Sequence, residues 1–477
     1  MRYARDYCWT GVGGRGLHTA AQLLEREHAR LREPALAPLP VPVVRFMRER
    51  AAALDRDSLR HGTAYIVVNS AELMAGKTAR AFDESAIRDY AQNYCRRALE
   101  LQSLDKRVAF ARRCGIDVQF SRTSTLQGRQ HRLCDSLWWR RQLRKAWTRR
   151  AENAMREVGM VRRIVAPYAS DVAVAHHAAR LVRQTHWLRN CEAVNTDTGE
   201  ALGLEDLAAG SVANPAIRRG ELMVRARGFE ELAAFHKHVG LFVTLTVPSR
   251  FHAELMYGGK NPAHQRETVR AAQQWLCRMW ARARAKFKRL SILLYGIRVA
   301  EPHHDGTPHW HGLLFVRSDQ AKAVRLILSA LWLSDGGEEA GAREHRCKFE
   351  TIDSTKGSAA GYLAKYVAKN IDGAGQIGSA IDEETGGSVD SSVNRVSAWA
   401  SVHGIRQFQQ IGGPAVTLYR ELRRLREPQA DADIERARLA ADRGGYRDFV
   451  MAVGGIAAGR RANVRVEREG ERRAPFA

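Results

Sequence analysis

Hydrophobic positions change period along the chain. The first hundred residues carry a mainly helical pattern, broken by the proline-rich stretch 34–42 (PALAPLPVP). The pattern changes after a polar turn region at 195–203. Residues 241–247 (LFVTLTV) form an apolar, β-branched run closed by Pro248, which predicts a buried strand. Residues 263–289 return to helical spacing, with Trp275, Met279 and Trp280 on one side and basic residues opposite. Residues 292–300 and 309–316 predict two further strands. They are joined through 303–308 (HHDGTP), where Asp305-Gly306 is a hairpin signal. Helix is predicted for 321–333, strand for 346–352 and helix for 356–370.

The resulting order, β-α-β-β-α-β-α, predicts an α+β domain built on a ferredoxin-like antiparallel sheet, preceded by a largely helical N-terminal region. A chain of 477 residues is long enough for several folding units. The pattern divides it into a helical region 1–103, a basic helical region 104–220, the sheet domain 221–372, a Gly-, Ser- and acid-rich flexible loop 373–392, an extension 393–455 and a basic tail 456–477.

Charge narrows the partner. Lys and Arg total 76 against 52 Asp and Glu, a net charge of +24, which favours a polyanion. No apolar stretch is long enough to predict a transmembrane helix, and the N-terminus lacks the apolar core of a secretory signal. That leaves nucleic acid ahead of a membrane surface. The 7 cysteines are scattered and form no C-x-x-C pair, so they read as reduced thiols in a cytoplasm. The most basic segment, RQHRLCDSLWWRRQLRKAWTRR, interleaves Arg140, Arg141 and Arg144 with Trp138, Trp139 and Trp147. Arginines on phosphates and indoles on bases would suit single-stranded DNA. The same spacing equally suits an amphipathic helix that buries its Trp residues and solvates its Arg residues.

Two groups of residues carry candidate chemistry. In PHWH, His309 and His311 share one face of a strand, because side chains alternate with period two. Two imidazoles on one face make half of a divalent-metal site. If the hairpin closes through 303–308, Glu301 arrives beside them and completes an open His-His-Glu set. His303 and His304 fall in the turn and are expected to contribute little. In GYLAKYVAK, Tyr362 and Tyr366 stand four apart on a helix and stack on one face, with Lys369 extending the stripe and Lys365 at its edge. A phenol is a competent nucleophile toward phosphorus when a metal polarises the phosphate and cations stabilise the developing charge. Each group taken alone also fits a structural role, as hairpin-surface histidines or as packed aromatics. The strand TLTVPS at 244–249 offers no chemical group and reads as scaffold.

Taken in order, TLTVPS, EPHHDGTPHWHGLLF and AAGYLAKYVAKN resemble the three motifs of HUH endonucleases, the rolling-circle initiators. More narrowly, the chain is similar to the tailed-phage replication gene A proteins, with support from RLCDSLWWRRQLR, NPAIRRGELMVRARGFE and AWASVHGIRQFQQIGGPAVTLYRELR. The His pair precedes the tyrosines, as in replication initiators. The resemblance implies a site- and strand-specific nickase. Glu301, His309 and His311 would hold Mg²⁺ or Mn²⁺. One tyrosine would attack to leave a 5′-phosphotyrosine and a free 3′-OH, and the second would act when the origin is regenerated. The implied partners are single-stranded DNA at a replication origin of phage or prophage, a host helicase and the replication machinery, in the bacterial cytoplasm. A two-tyrosine transposase and a non-catalytic DNA-binding regulator are the rival readings.

Two decoys are set aside. Residues 71–78 (AELMAGKT) meet only the loosest phosphate-loop pattern, since Ala71 stands where a glycine usually opens the backbone nest. Cys134 or Cys114 with His131 has no regular zinc spacing.

Overall fold

The computed structural model describes residues 83–121, 123–352, 358–371, 389–459 and 462–466. The proline-rich break, the phosphate-loop decoy and most of the loop expected at 373–392 lie outside them, as does the basic tail beyond 466. The chain divides into two compact units. Among the described residues the first takes in 83–178 with Ala253–Lys260 and Ser401–Gly404, and the second Ala179–His252, Asn261–Ala400 and the residues from Ile405 on.

The first unit is helical. Helices α1 (Glu84–Glu100), α2 (Leu104–Arg113), α3 (Leu126–Leu133) and α4 (Ser136–Glu157) each begin at a side chain that accepts the first free backbone N–H groups: Asp83, Ser103, Thr125 and Asp135. On α1 the buried residues Ile87, Ala91, Cys95 and Ala98 form one helical stripe, and on α4 Trp139, Leu143, Trp147 and Ala151 form another. The two stripes share one core, knit by edge-on aromatic pairs such as Tyr90–Trp147 at 5.1 Å and Tyr94–Trp139 at 5.6 Å.

The chain continues through α5 (Asp171–Arg189), a two-stranded ribbon of β1 (Glu192–Val194) and β2 (Ala201–Gly203), and α6 (Pro215–Phe235). The main sheet follows. Its strands are β3 (His238–Leu245), β4 (Tyr295–Pro302), β5 (Pro308–Arg317), β6 (Cys347–Thr351) and, later, β7 (Phe408–Ile411). Helix α7 (Val269–Arg289) lies between β3 and β4, α8 (Ala321–Trp332) between β5 and β6, and α9 (Ala359–Ile371) follows β6. Helices α10 (Val389–His403), α11 (Val416–Leu422), α12 (Ala432–Asp442) and α13 (Tyr446–Ala452) complete the described chain. Every element expected between 241 and 370 is present, with ends displaced by a few residues. The helix expected from 263 begins at Val269, where Thr268 caps it, because Asn261 and His264 instead bind turn backbone at Ser249, His252 and Arg250. The end of the stretch expected as loop is helical from Val389.

The sheet order is β6-β3-β5-β4-β7, antiparallel throughout. The protein is therefore α+β with a helical N-terminal part. Strand β4 is buried along its whole length and β5 up to Arg317, because both sheet faces are covered. On one face Ile297, Val299, Leu313 and Phe315 pack with Phe229 and Leu232 of α6 and Leu363 and Val367 of α9. On the other, Trp310 Nε1 donates to Gln273 Oε1 of α7 at 3.1 Å. No helix among the described residues is long and apolar enough to cross a membrane.

Candidate metal and nucleophile site

The site lies where the apolar face of the sheet runs out. Along β5 the row Phe315, Leu313 continues to His311 and His309, and along β4 the row Ile297, Val299 continues to Glu301. Glu301 stands directly opposite His309 and Val299 opposite His311, so all three polar groups share the face that carries the core. The turn that sets this register is fixed at several points. His303 N donates to Thr307 O, Asp305 Oδ1 accepts from Thr307 N, and Trp399 Nε1 donates to Gly306 O at 2.8 Å.

Glu301, His309 and His311 are buried, and one ligand atom from each lies within 4.8 Å of the others. The two Nε2 atoms are 2.8 Å apart, and His311 Nε2 is 3.8 Å from Glu301 Oε2. Burial, then the neighbouring His303, His311, Lys369 and His252, push His309 well below its ordinary pKa, so its ring is held neutral, the form that ligates a metal. His311 Nδ1 lies 3.1 Å from the Thr244 hydroxyl of β3. With the ring proton on Nδ1, Nε2 keeps its lone pair for a cation. Two imidazoles and one carboxylate converging in this way fit a divalent cation with open coordination positions.

Helix α9 lies over the triad. Leu363, Val367 and Ile371 bury one stripe, which leaves Tyr362, Tyr366, Lys369 and Asn370 on the adjoining one. The Tyr366 ring is 4.3 Å from the His311 ring and 5.4 Å from Phe242, while Tyr362 is 6.1 Å from Phe242. Lys369 Nζ stands 3.9 Å from Glu301 Oε2. Lys365 belongs to the same helix, but its side chain lies outside the described residues. The structure thus brings Glu301, His309, His311, Tyr366 and Lys369 together, with Tyr362 one turn away.

A match to known proteins bears on this arrangement. Residues 62–374 match the family described as bacteriophage replication gene A protein (GPA). The chain belongs to that family. The replication gene A protein of Escherichia phage 186 is 41% identical over 331 residues, covering 68% of this chain and 47% of the relative. The replication protein of Haemophilus phage HP1 (strain HP1c1) is 41% identical over 334 residues, 70% and 43% of the two chains. A protein of Salmonella paratyphi A named probable replication endonuclease from prophage-like region is 38% identical over 341 residues, 68% and 42%. This chain spans about half the length of these relatives or less. No solved structure matches.

The replication gene A match covers the triad and α9, and Thr244, Asn370 and, beyond the match, Gln407 were not singled out by sequence. Thr244, assigned to inert scaffold, supports His311. Asn370 Nδ2 donates to Glu301 Oε1 and to Tyr366 O, while its Oδ1 accepts from Gln407 Nε2 at 2.8 Å. His303 lies in the turn as expected, and its ring packs 4.0 Å from that of His309. Asn370 closes the AAGYLAKYVAKN motif and continues the Tyr362–Tyr366 spacing, which was the one signal available for it. Nothing local marks Gln407.

The basic segment needs a correction. Trp138 and Trp139 are buried in the helical core, and Trp139 Nε1 donates to Leu133 O at 2.8 Å, so neither indole is free to stack on a base. Arg140 and Arg144 both bind Glu84, Arg144 through two hydrogen bonds of 2.7 Å. Arg141 is the most open of the three, with 56% of its side chain exposed. No metal-ligand group involving Cys114, Cys134 or His131 forms among the described residues.

Proposed function

We propose that this chain is a site- and strand-specific DNA nickase that initiates rolling-circle replication of phage or prophage DNA. The observation that carries the reading is a buried Glu-His-His set with a two-tyrosine helix on the same sheet face. The sheet order supports it: β6-β3-β5-β4 with βαββαβ connections is the order of a ferredoxin-like sheet, the expected scaffold of an HUH domain. The names of the relatives, replication proteins and replication endonucleases, point the same way.

The triad would hold Mg²⁺ or Mn²⁺; Mn²⁺ tolerates imidazole better, and availability favours Mg²⁺. When bound, the cation supplies Lewis-acid polarisation of the scissile phosphate. Thr244 and Asn370 orient His311 and Glu301. The phenol oxygen of Tyr362 or Tyr366 attacks phosphorus. An O–P bond forms, the bond to the 3′ oxygen breaks, and the phenol proton ends on the released 3′-OH, leaving a 5′-phosphotyrosine. Lys369, with Lys365 on the same helix, stabilises the negative charge that develops. The second tyrosine repeats the attack on the new strand, so the phosphodiester energy is conserved without water. Arg141, the most exposed of the three arginines considered in region 104–220, binds the backbone of the origin strand, and a host helicase opens the duplex.

Incubation with single-stranded origin oligonucleotides and Mn²⁺, followed by a denaturing gel, tests the reading. A covalent adduct mapping to the peptide 361–369 is expected. It should vanish in the Tyr362→Phe/Tyr366→Phe double variant and in the His309→Ala/His311→Ala double variant, while at least one single Tyr→Phe variant still forms it. Full cleavage by either double variant, or an adduct on Tyr257 or Tyr295, overturns the assignment.

A further inference from the structure

A short hairpin in the first unit presents an apolar tip with no function in the site above. Glu254 and Lys260 form an isolated antiparallel bridge, and inside it Leu255 N donates to Gly259 O and Gly258 N to Leu255 O. The tip turns through Gly258 (φ +100°) and Gly259 (φ +89°), left-handed positions that favour glycine on backbone grounds alone, because an added Cβ would meet nothing within 4 Å. At the base, Lys260 Nζ lies 2.6 Å from the buried Glu254 carboxylate and donates to Glu157 O, at the C-terminal end of α4, also at 2.6 Å. The hairpin is therefore anchored and pre-shaped. What it displays is Leu255 (47% exposed), Met256 (49%) and Tyr257 (91%).

We propose that this hairpin is a base-stacking element for single-stranded DNA, with Tyr257 as the stacking ring and Leu255 and Met256 as its flanks. The proposal rests on the nickase reading and names a contact for its substrate strand. Two observations select DNA as the occupant. Between residues 83 and 178 of the same unit, Lys and Arg outnumber Asp and Glu almost two to one, which suits a polyanion. Three side chains also offer far less than the roughly 800 Å² per partner that a stable protein interface buries, whereas one ring on a rigid mount matches a single unstacked base. An ordered presentation lowers the entropy cost of binding.

The test uses the full chain and a fluorescein-labelled oligothymidylate in EDTA, so that no strand is cut and the result is independent of nicking. Anisotropy titration should show Tyr257→Ala binding at least about fivefold more weakly, roughly the low end of base–aromatic stacking. The slope of affinity against salt should be unchanged, because every cationic group that meets a phosphate is still present, and Tyr257→Phe should bind as the wild type does. An oligonucleotide carrying 5-iododeoxyuridine should photo-crosslink within 254–260. Wild-type affinity in Tyr257→Ala overturns the proposal and leaves the hairpin to a protein partner; so does weaker binding accompanied by a reduced salt slope. Failure of the nickase reading registers elsewhere, as absence of the Mn²⁺-dependent adduct in the wild-type protein.

Discussion

Thr244 supports the candidate metal triad without belonging to it. Its hydroxyl is the partner of His311 Nδ1, and when it accepts the Nδ1 proton, Nε2 keeps its lone pair toward Glu301 and His309. Thr244→Val keeps the shape of the side chain and removes the hydroxyl. The variant should fold normally yet bind Mn²⁺ about tenfold more weakly, as removal of such supporting partners commonly does. Thr244→Ser should restore much of the affinity. Mn²⁺ titration followed by electron paramagnetic resonance measures both. Equal affinity in the Val and wild-type proteins would remove Thr244 from the site. The His pair was legible in sequence because strand alternation and the Asp305-Gly306 turn are local signals. Thr244 was not, since it reaches His311 only through the β3–β5 pairing, which joins residues far apart in the chain.

Among the elements, α1 and α4 are joined by a polar clamp as well as by their aromatic core. Glu84 accepts from Arg140 and Arg144 and lies 3.7 Å from His176. The interaction with His176, then those with Arg144 and Arg140, hold its carboxyl far below the usual carboxylate range despite partial burial. A depressed acid pKa means that folding favours the ionised form. The clamp therefore contributes fully above the ordinary pKa of 4.5 and fades as pH falls below it toward the folded value. Glu84→Gln should lower the unfolding temperature by a few degrees near neutral pH, and the gap to wild type should close in acid. Differential scanning calorimetry at both pH values checks this; a gap that persists in acid would assign the destabilisation to packing. The clamp also explains why RQHRLCDSLWWRRQLRKAWTRR was ambiguous. A basic amphipathic helix has one spacing whether its arginines meet phosphates or a glutamate from another helix, and only the tertiary pairing separates the two.

For the whole molecule, the net charge of +24 predicts strongly salt-dependent DNA binding. The three arginines of α4 divide in their expected effects. Arg141→Ala should weaken oligonucleotide binding and lower the salt slope by about 0.7 for each single-strand phosphate no longer neutralised, with little change in stability. Arg140→Ala and Arg144→Ala should also destabilise the protein, because each leaves Glu84 short of a partner. Filter binding across a salt series, paired with thermal melts, separates the effects. An unchanged slope in the triple variant would take this helix out of the DNA interface. At this scale the order of elements from 241 to 370 was readable, because each is marked by its own period. What no local pattern marked is β7 at the edge beside β4, a pairing between residues far apart in the chain.

The β4–β5 turn carries a consequence for how such a chain can change over generations. Surface loops usually absorb insertions and deletions. This turn is largely buried, Asp305 and Thr307 fully so; it runs from Pro302 to Pro308 between two paired strands, and its length helps set Glu301 opposite His309. One residue added or removed would slide β4 against β5, and a slip of that size turns every side chain of a strand to the opposite face. The carboxylate would leave the imidazoles with no ligand residue altered. The spacing between Glu301 and His309 should therefore be as resistant to drift as the residues themselves, and one-residue indels in 303–307 should abolish Mn²⁺ binding and lower the unfolding temperature together, because Ile297 and Val299 leave the core with Glu301.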